Sequence, residues 1–166
     1  MVFTAGGNAA GKSTALAVTG IAGRAQVVFD STLSNPEHAQ RLIEQALGAG
    51  KTVTVIHVSR PLEEIFAAML DRAQEQGRVV TIEQLIGSHR GSGQAVRDLA
   101  SEFEHNPGVD FVFLDNSANG TREGTIELAA PQDYTGIRKR LHELLAREYQ
   151  AGRITEKVYC RIRRRD

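Results

Sequence analysis

The stretch that decides the fold is VFTAGGNAAGKST, residues 2–14. Its segment 6–13 matches the phosphate-binding loop pattern G-x-x-x-x-G-K-[ST] in full. Glycines let backbone amides close around phosphates, the lysine reaches the β- and γ-phosphates, and the serine hydroxyl can hold Mg²⁺. An apolar run precedes the loop and a helix-forming run follows it, so we predict a strand, a nucleotide loop and a helix whose positive N-terminus faces the anion.

This loop makes ATP with Mg²⁺ the first ligand to consider. Lys12 is the predicted catalytic cation, and Ser13 is the predicted Mg²⁺ ligand. The residues predicted to bind ATP are Gly6, Gly7, Asn8, Ala9, Ala10, Gly11, Lys12, Ser13 and Thr14.

Length and composition set limits on the class of protein. The 166 residues suffice for one domain with a substantial core, and the 20 basic and 20 acidic side chains balance. That balance argues against nucleic acid and membranes as partners. A single cysteine, Cys160, and the lack of a signal peptide or long apolar run favour the cytoplasm. Because the first strand begins at the first residues, we expect a domain cut from a longer protein.

The spacing of apolar residues predicts alternating strands and helices. A buried strand is expected at 26–30 and a further strand at 52–58. One helix is expected from Pro36 to Gly48, and another begins at Pro61 and ends before Gly77. This alternation predicts an α/β fold of the P-loop NTPase kind. We expect a parallel sheet with helices on both faces and ligands at the carboxyl ends of the strands.

The second half of the chain is less regular. Segment 77–93 is predicted to be a mobile basic segment because glycines alternate with arginine and histidine, and a helix should follow through 96–103. Further expected elements are strands at 109–115 and 124–128 and helices at 134–149 and 154–163. We predict a kinase-like domain over 1–152 and a basic helical tail over 153–166, which carries Arg161, Arg163, Arg164 and Arg165.

Two acids end predicted strands and compete for the acidic role. Asp30 ends the second strand and can act as general base or bind Mg²⁺ through water. Asp115 ends a later strand and is the alternative metal-linked acid, although both acids can also simply stabilise turns.

Four basic side chains are candidates for the phosphates and the acceptor. Arg72 and Arg78 flank Gly77, so on a closing segment they can stabilise charge on the transferring phosphoryl group and exclude water. His89 and Arg90 can contact the acceptor, or they can be solvated residues of the mobile segment.

These residues together resemble the zeta toxin family of P-loop kinases, over about residues 3–117. The resemblance implies a fold like that of shikimate kinases and nucleotide kinases, and it implies that Lys12 and Ser13 bind ATP·Mg²⁺. Asp30 and Thr32 fall on an acidic-x-Thr motif that faces the acceptor, while Arg72 and Arg78 fall on phosphate-binding arginines. Members of the family usually carry an Asp that acts as base in a segment between the first helix and this motif. No Asp or Glu lies between Lys12 and Asp30 here, so the resemblance leaves Asp30 as the candidate for that role, beside its alternative role at the metal.

The function expected from this resemblance is ATP-dependent transfer of a γ-phosphoryl group to a hydroxyl of a small molecule. Members of the family include toxins that phosphorylate UDP-N-acetylglucosamine, which makes a nucleotide sugar the first acceptor to test and an antitoxin or parent-protein domain a possible partner. Two alternatives stay open: a non-catalytic ATP-binding module of a larger protein, and a polynucleotide 5′-hydroxyl kinase whose arginine tail follows the nucleic-acid backbone.

Overall fold

The computed structural model describes residues 1–21, 23 and 25–164, so Arg165 of the predicted tail lies outside the described residues. The strands are β1 Val2–Ala5, β2 Val28–Asp30, β3 Val53–Ser59, β4 Val109–Ser117 and β5 Gly120–Gly124. The helices are α1 Lys12–Thr19, α2 Pro36–Gly48, α3 Leu62–Gln76, α4 Ile82–Glu102, α5 Tyr134–Gln150 and α6 Glu156–Arg163, with a short 3₁₀ helix at Ile126–Ala129.

The strands form one sheet in the order β2-β1-β3-β4-β5. Strand β1 pairs in parallel with β2 on one side and β3 on the other, and β3 pairs in parallel with β4. The register places Thr4 opposite Asp30 and Ala5 opposite His57. The predicted α/β fold with a mostly parallel sheet is confirmed.

Strand β5 is antiparallel to β4, and its predicted position at 124–128 is wrong. Strand β4 continues to Ser117, and only Ala118 and Asn119 connect it to β5. Two residues can close a hairpin, whereas a parallel crossover needs a dozen or more. Gly120 has a φ of 98° and follows Asn119, which is the Asn-Gly signal of a tight hairpin. The segment after Gly124 forms the 3₁₀ helix instead.

One compact unit comprises Met1–Arg60 and Ser88–Pro131. In it, apolar side chains of α2 and of the second half of α4 share a buried core with the sheet. Its buried members include Phe3, Ala5, Ala39, Ile43, Val53, Val55, Val96, Leu99, Phe103 and Phe113. Strand β2, predicted to be buried, is instead an edge strand with Val28 38% exposed, because β1 is its one neighbour among the described strands.

The predicted mobile segment 77–93 is wrong from residue 82 onward, since α4 runs without a break from Ile82 to Glu102. Buried residues recur at helical spacing through the glycine-rich stretch, from Leu85 and Ile86 to Ser92 and Val96. Two of the glycines there, Gly91 and Gly93, allow close packing: a Cβ added at Gly93 would lie 3.0 Å from the Ala129 carbonyl oxygen, whereas one at Gly87 would meet nothing within 4 Å. Packing of this face overrides the low helix propensity of glycine.

The other compact unit comprises Pro61–Gly87 and Gln132–Asp166. Helix α5 packs against both α3 and α6 within it. Arg138 forms an ion pair with Glu83 at 2.8 Å, and the ring of Tyr149 stacks on that of Tyr159 at 4.5 Å between centroids. The helix α6 lies where the basic tail was predicted to be helical, but a domain boundary at residue 152 stays a prediction.

None of the helices in the described part of the chain combines the length and apolar character that crossing a bilayer requires.

Candidate active site at the phosphate loop

The loop between β1 and α1 turns sharply at its glycines. Gly6 is buried with a φ of 143°, and a Cβ there would lie 2.6 Å from the Val58 carbonyl oxygen. Gly11 has a φ of 80° and caps α1. The positive φ favours glycine at both positions, and at Gly6 the backbone of β3 also leaves no room for a Cβ. The loop therefore holds its backbone close to β3 and delivers the chain into the first turn of α1.

Lys12 is the first residue of α1, and its side chain folds back over the loop. Its Nζ donates to the Gly6 carbonyl at 3.2 Å and to the Gly7 carbonyl at 3.4 Å. Burial lowers the pKa of Lys12 from its usual value, and the attraction of the Asp30 carboxylate acts in the opposite direction. An anion bound in the loop would relieve the same cost of burying the ammonium.

Asp30 lies at the carboxyl end of β2, beside the loop, and is exposed. Its Oδ1 accepts a hydrogen bond from Thr4 Oγ1 at 2.6 Å, and its charge attracts the Lys12 ammonium. The structure thus places Asp30 close enough to the loop lysine for their charges to attract. Because the carboxylate is exposed, a substrate hydroxyl can come within hydrogen-bond reach of it.

The segment after β2 packs against the start of the loop. The Thr32 carbonyl accepts from the Gly6 amide at 3.4 Å, and the hydroxyls of Thr32 and Ser34 lie 3.0 Å apart. Between them Leu33 adopts a φ of 46°, and its amide donates to Ser31 Oγ at 3.1 Å. A non-glycine residue in this conformation is held there by its surroundings, so the segment has a fixed shape next to Asp30.

Helix α4 contacts the other side of the loop. Ser88 Oγ accepts from the Asn8 amide at 3.1 Å, and a Cβ added at Gly7 would lie 3.1 Å from the His89 Cα. His89 is buried, and burial lowers its pKa, whereas Arg90 is exposed. His89 is therefore a packed neighbour of the loop rather than a solvated residue of a mobile segment.

Asp115 and Asn116 have different surroundings although they are adjacent. The Asp115 carboxylate accepts from the Ser117 amide at 3.0 Å and from Arg122 at 3.3 Å. Asn116 Nδ2 instead donates to the Ala10 carbonyl at 3.0 Å, and its Oδ1 accepts from Thr121 Oγ1 at 2.8 Å. Asn116, rather than Asp115, makes the direct contact with the phosphate loop.

Arg72 and Arg78 belong to the unit formed by Pro61–Gly87 and Gln132–Asp166. Arg72 lies on α3, Arg78 follows it, and both side chains are exposed. Gly77 between them ends α3 with a φ of 66°. Their predicted roles at the phosphates stay predictions.

Three residues at the loop escaped the sequence analysis as site residues: Thr4, Ser88 and Asn116. A polar threonine inside the apolar run 2–5 was the available signal for Thr4. Ser88 lies in the stretch for which the sequence predicts no helix, so the sequence does not predict that its side chain faces the loop. Asn116 directly follows Asp115 at the end of a predicted strand, and no local pattern distinguishes it as a residue of the loop.

Replacing Asn116 with alanine should weaken the loop. The change removes the donor to Ala10 and the acceptor of Thr121, so we expect the free energy of unfolding to fall by about 1–3 kcal/mol. We also expect weaker binding of ATP, measured by calorimetry. Asn119→Ala, at the exposed hairpin turn, is the matched control. Equal effects of the two variants would contradict a support role for Asn116.

A buried histidine lies on the sheet behind the loop. His57 of β3 is 4% exposed, its ring meets that of Phe113 edge-on, and its Nδ1 finds no hydrogen-bond partner among the described residues. Burial is the largest cause, followed by the proximity of His89, and together they lower the pKa of His57 to about 4. A hydrogen bond with the Leu128 backbone acts in the opposite direction and raises this pKa. The folded protein therefore keeps His57 neutral.

This burial predicts a loss of stability in acid. In the unfolded chain His57 titrates near pH 6.5, so between that pH and about pH 4 the unfolded state binds more protons. We expect His57 to cost about 3 kcal/mol of unfolding free energy over this range, with His89 acting in the same direction. Urea titrations at pH 7 and pH 4 measure this. His57→Gln should reduce the dependence, and the exposed His38→Gln should not.

The family model described as zeta toxin matches residues 19–128, more than half of the chain. The chain belongs to the zeta toxin family. The matched range begins after the phosphate loop. The loop pattern of this zeta toxin family member at 6–13 is therefore an observation separate from the family match.

Solved structures similar to this zeta toxin family member include three of the AvrRxo1-ORF1:-ORF2 complex. They are described as containing ATP, as containing sulphate ions and as native, with TM-scores of 0.58, 0.58 and 0.59. Sequence identity is 14%, 13% and 13%, so the likeness shows the fold alone. Each match covers 84% of this chain and 62% of the other, so this chain spans less than two thirds of those proteins.

No curated protein sequence matches the chain.

Proposed function

We propose that the chain is an ATP-dependent kinase that transfers the γ-phosphoryl group to a hydroxyl of a small molecule. The observation that carries the proposal is the position of Asp30 beside the phosphate loop. Asp30 ends β2, which pairs in parallel with the β1 strand that leads into the loop, and its charge attracts Lys12 at the start of α1. Membership of the zeta toxin family and the ATP in one similar structure support the same donor.

The proposed chemistry divides between these two side chains. Asp30 accepts the proton of the acceptor hydroxyl while that oxygen bonds to the γ-phosphorus. The bond from the γ-phosphorus to the bridging oxygen breaks, and ADP leaves with the electron pair. Lys12 and the amides of the first turn of α1 stabilise the negative charge on the phosphates.

The residues present fit a magnesium ion held mainly by ATP. Ser13 is exposed in the first turn of α1, and we propose its hydroxyl as a ligand, with Asp30 or Asp115 acting through water. Among residues 1–21, 23 and 25–164, no three His, Cys, Asp or Glu side chains cluster to hold a metal ion. Magnesium bound to phosphates needs few protein ligands, and its role would be to neutralise charge on them.

We propose a nucleotide sugar such as UDP-N-acetylglucosamine as the first acceptor to test. Asp30, Thr32, His89 and Arg90 are proposed to face it, while Arg72 and Arg78 are proposed to bind the phosphates. An antitoxin-like partner is a further proposal, supported by the complex of AvrRxo1-ORF1 with ORF2.

The test is the release of ADP from ATP and Mg²⁺ with and without candidate acceptors, UDP-N-acetylglucosamine among them. We expect one acceptor to stimulate release and to gain the phosphoryl group, as detected by mass spectrometry. Tight binding of ATP without stimulation by any acceptor would contradict the proposal. It would favour a non-catalytic nucleotide module, which the 62% coverage of the similar chains also allows.

A further inference from the structure

The hydroxyl of Thr4 lies between the phosphate loop and Asp30. Thr4 is fully buried in β1, and the parallel ladder sets it opposite Asp30 of β2. Its Oγ1 donates to Asp30 Oδ1 at 2.6 Å, a length typical of a hydroxyl bound to a carboxylate. The same oxygen accepts from the Ser31 amide at 3.1 Å.

These two bonds leave the hydroxyl little freedom. A threonine hydroxyl has one proton, and its two acceptors here are Asp30 Oδ1 at 2.6 Å and the Ser31 carbonyl at 3.4 Å. The shorter bond to the carboxylate is the stronger one, so the proton points to Asp30. The β-branched side chain is also restricted at χ1, and its backbone is fixed in the sheet. Thr4 therefore defines where one oxygen of the Asp30 carboxylate lies.

We propose that Thr4 is a positioning residue that aims the Asp30 carboxylate at the acceptor hydroxyl, an inference that rests on the proposed kinase function. With Oδ1 held by Thr4, the Oδ2 atom is the one left to receive a proton. Asp30 is exposed at the end of β2, and the Thr4 hydroxyl is the group that hydrogen-bonds to its carboxylate within the described part of the chain. Misplacement of a reacting group by about 1 Å can cost 100-fold in rate.

The decisive variants each remove one group of the Thr4 side chain, either the hydroxyl or the methyl group. Thr4→Val has nearly the same shape but no hydroxyl, whereas Thr4→Ser keeps the hydroxyl and loses the methyl group. Thr54→Val, on the neighbouring strand β3 opposite Val2, is the matched control. Steady-state release of ADP with the stimulating acceptor gives kcat and the KM for ATP of each variant.

We expect Thr4→Val to lower kcat about 10- to 100-fold with little change in the KM for ATP. Thr4→Ser should recover most of kcat, and Thr54→Val should resemble the wild type. A purely structural tie between β1 and β2 would instead lower thermal stability and leave kcat unchanged in the folded fraction. That result would overturn the proposal.

Crystal structures of the wild type and of Thr4→Val give a readout that needs no acceptor. We expect the Asp30 side chain to have one conformation in the wild type. In Thr4→Val we expect its carboxylate to rotate away from residue 4 or to occupy several conformations. An unchanged carboxylate in Thr4→Val would overturn the positioning role even if the protein is an active kinase. A wild type that no acceptor stimulates would defeat the proposed function, while the crystal structures would still decide whether Thr4 holds Asp30. Thr4→Ala serves both measurements if Thr4→Val does not fold.

Discussion

Lys12→Ala should reduce phosphoryl transfer by at least about 100-fold, the scale of losing a charge that stabilises the transition state. The Lys12 ammonium lies against the carbonyls of Gly6 and Gly7, and burial already lowers its pKa. Alanine cannot replace that charge at the phosphates, so binding of ATP should weaken as well. Calorimetry with a non-hydrolysable ATP analogue and release of ADP measure the two effects separately.

The matched control for this variant is Lys51→Ala. Lys51 is exposed and donates to Gln26 at 3.1 Å, away from the phosphate loop in sequence. Lys51→Ala should leave the binding of the ATP analogue and the rate of phosphoryl transfer close to those of the wild type. Transfer that survives in Lys12→Ala would show that the loop does not bind the donor phosphates.

Asp30→Asn should separate binding from chemistry. The amide keeps the shape of the carboxylate but cannot accept the proton of an attacking hydroxyl, so we expect transfer to fall about 10²- to 10⁴-fold. Binding of the ATP analogue should persist, because Asp30 contacts Thr4 and attracts Lys12 but lies outside the loop itself. Single-turnover transfer from labelled ATP and calorimetry are the measurements.

Asp110→Asn is the control, since Asp110 is an exposed acid on β4. If Asp30→Asn transfers as fast as the wild type, the base lies elsewhere. If it instead loses binding of ATP, the charge of Asp30 acts on the nucleotide, through magnesium or through Lys12, and the assignment of base would need revision.

The elements nearest the phosphate loop could be predicted because local signals and tertiary packing agree there. The glycines and lysine of 6–13 define the turn into α1, and Pro61 with the apolar face of α3 defines the next long helix. The position of Asp30 beside the loop also followed from the rule that parallel strands gather their carboxyl ends at one edge.

Helix α4 could not be predicted from local propensity because two of its glycines, Gly91 and Gly93, are explained only by neighbours distant in sequence. Gly91 packs near Ser34, and Gly93 packs near the Ala129 carbonyl. Without those neighbours the stretch resembles a loop, and so the contact of Ser88 with Asn8 stayed hidden. The β4–β5 hairpin is a different case, since Asn119-Gly120 was a local signal that the sequence analysis overlooked.

The stacked pair Tyr149 and Tyr159 has a spectroscopic consequence. The chain has no tryptophan, and its three tyrosines, Tyr134, Tyr149 and Tyr159, all lie in the unit formed by Pro61–Gly87 and Gln132–Asp166. Intrinsic fluorescence therefore reports on that unit alone, whereas far-ultraviolet circular dichroism reports on the helices and strands of both. Melting curves that coincide for the two probes would show one cooperative transition, and curves that separate would show a unit that unfolds by itself.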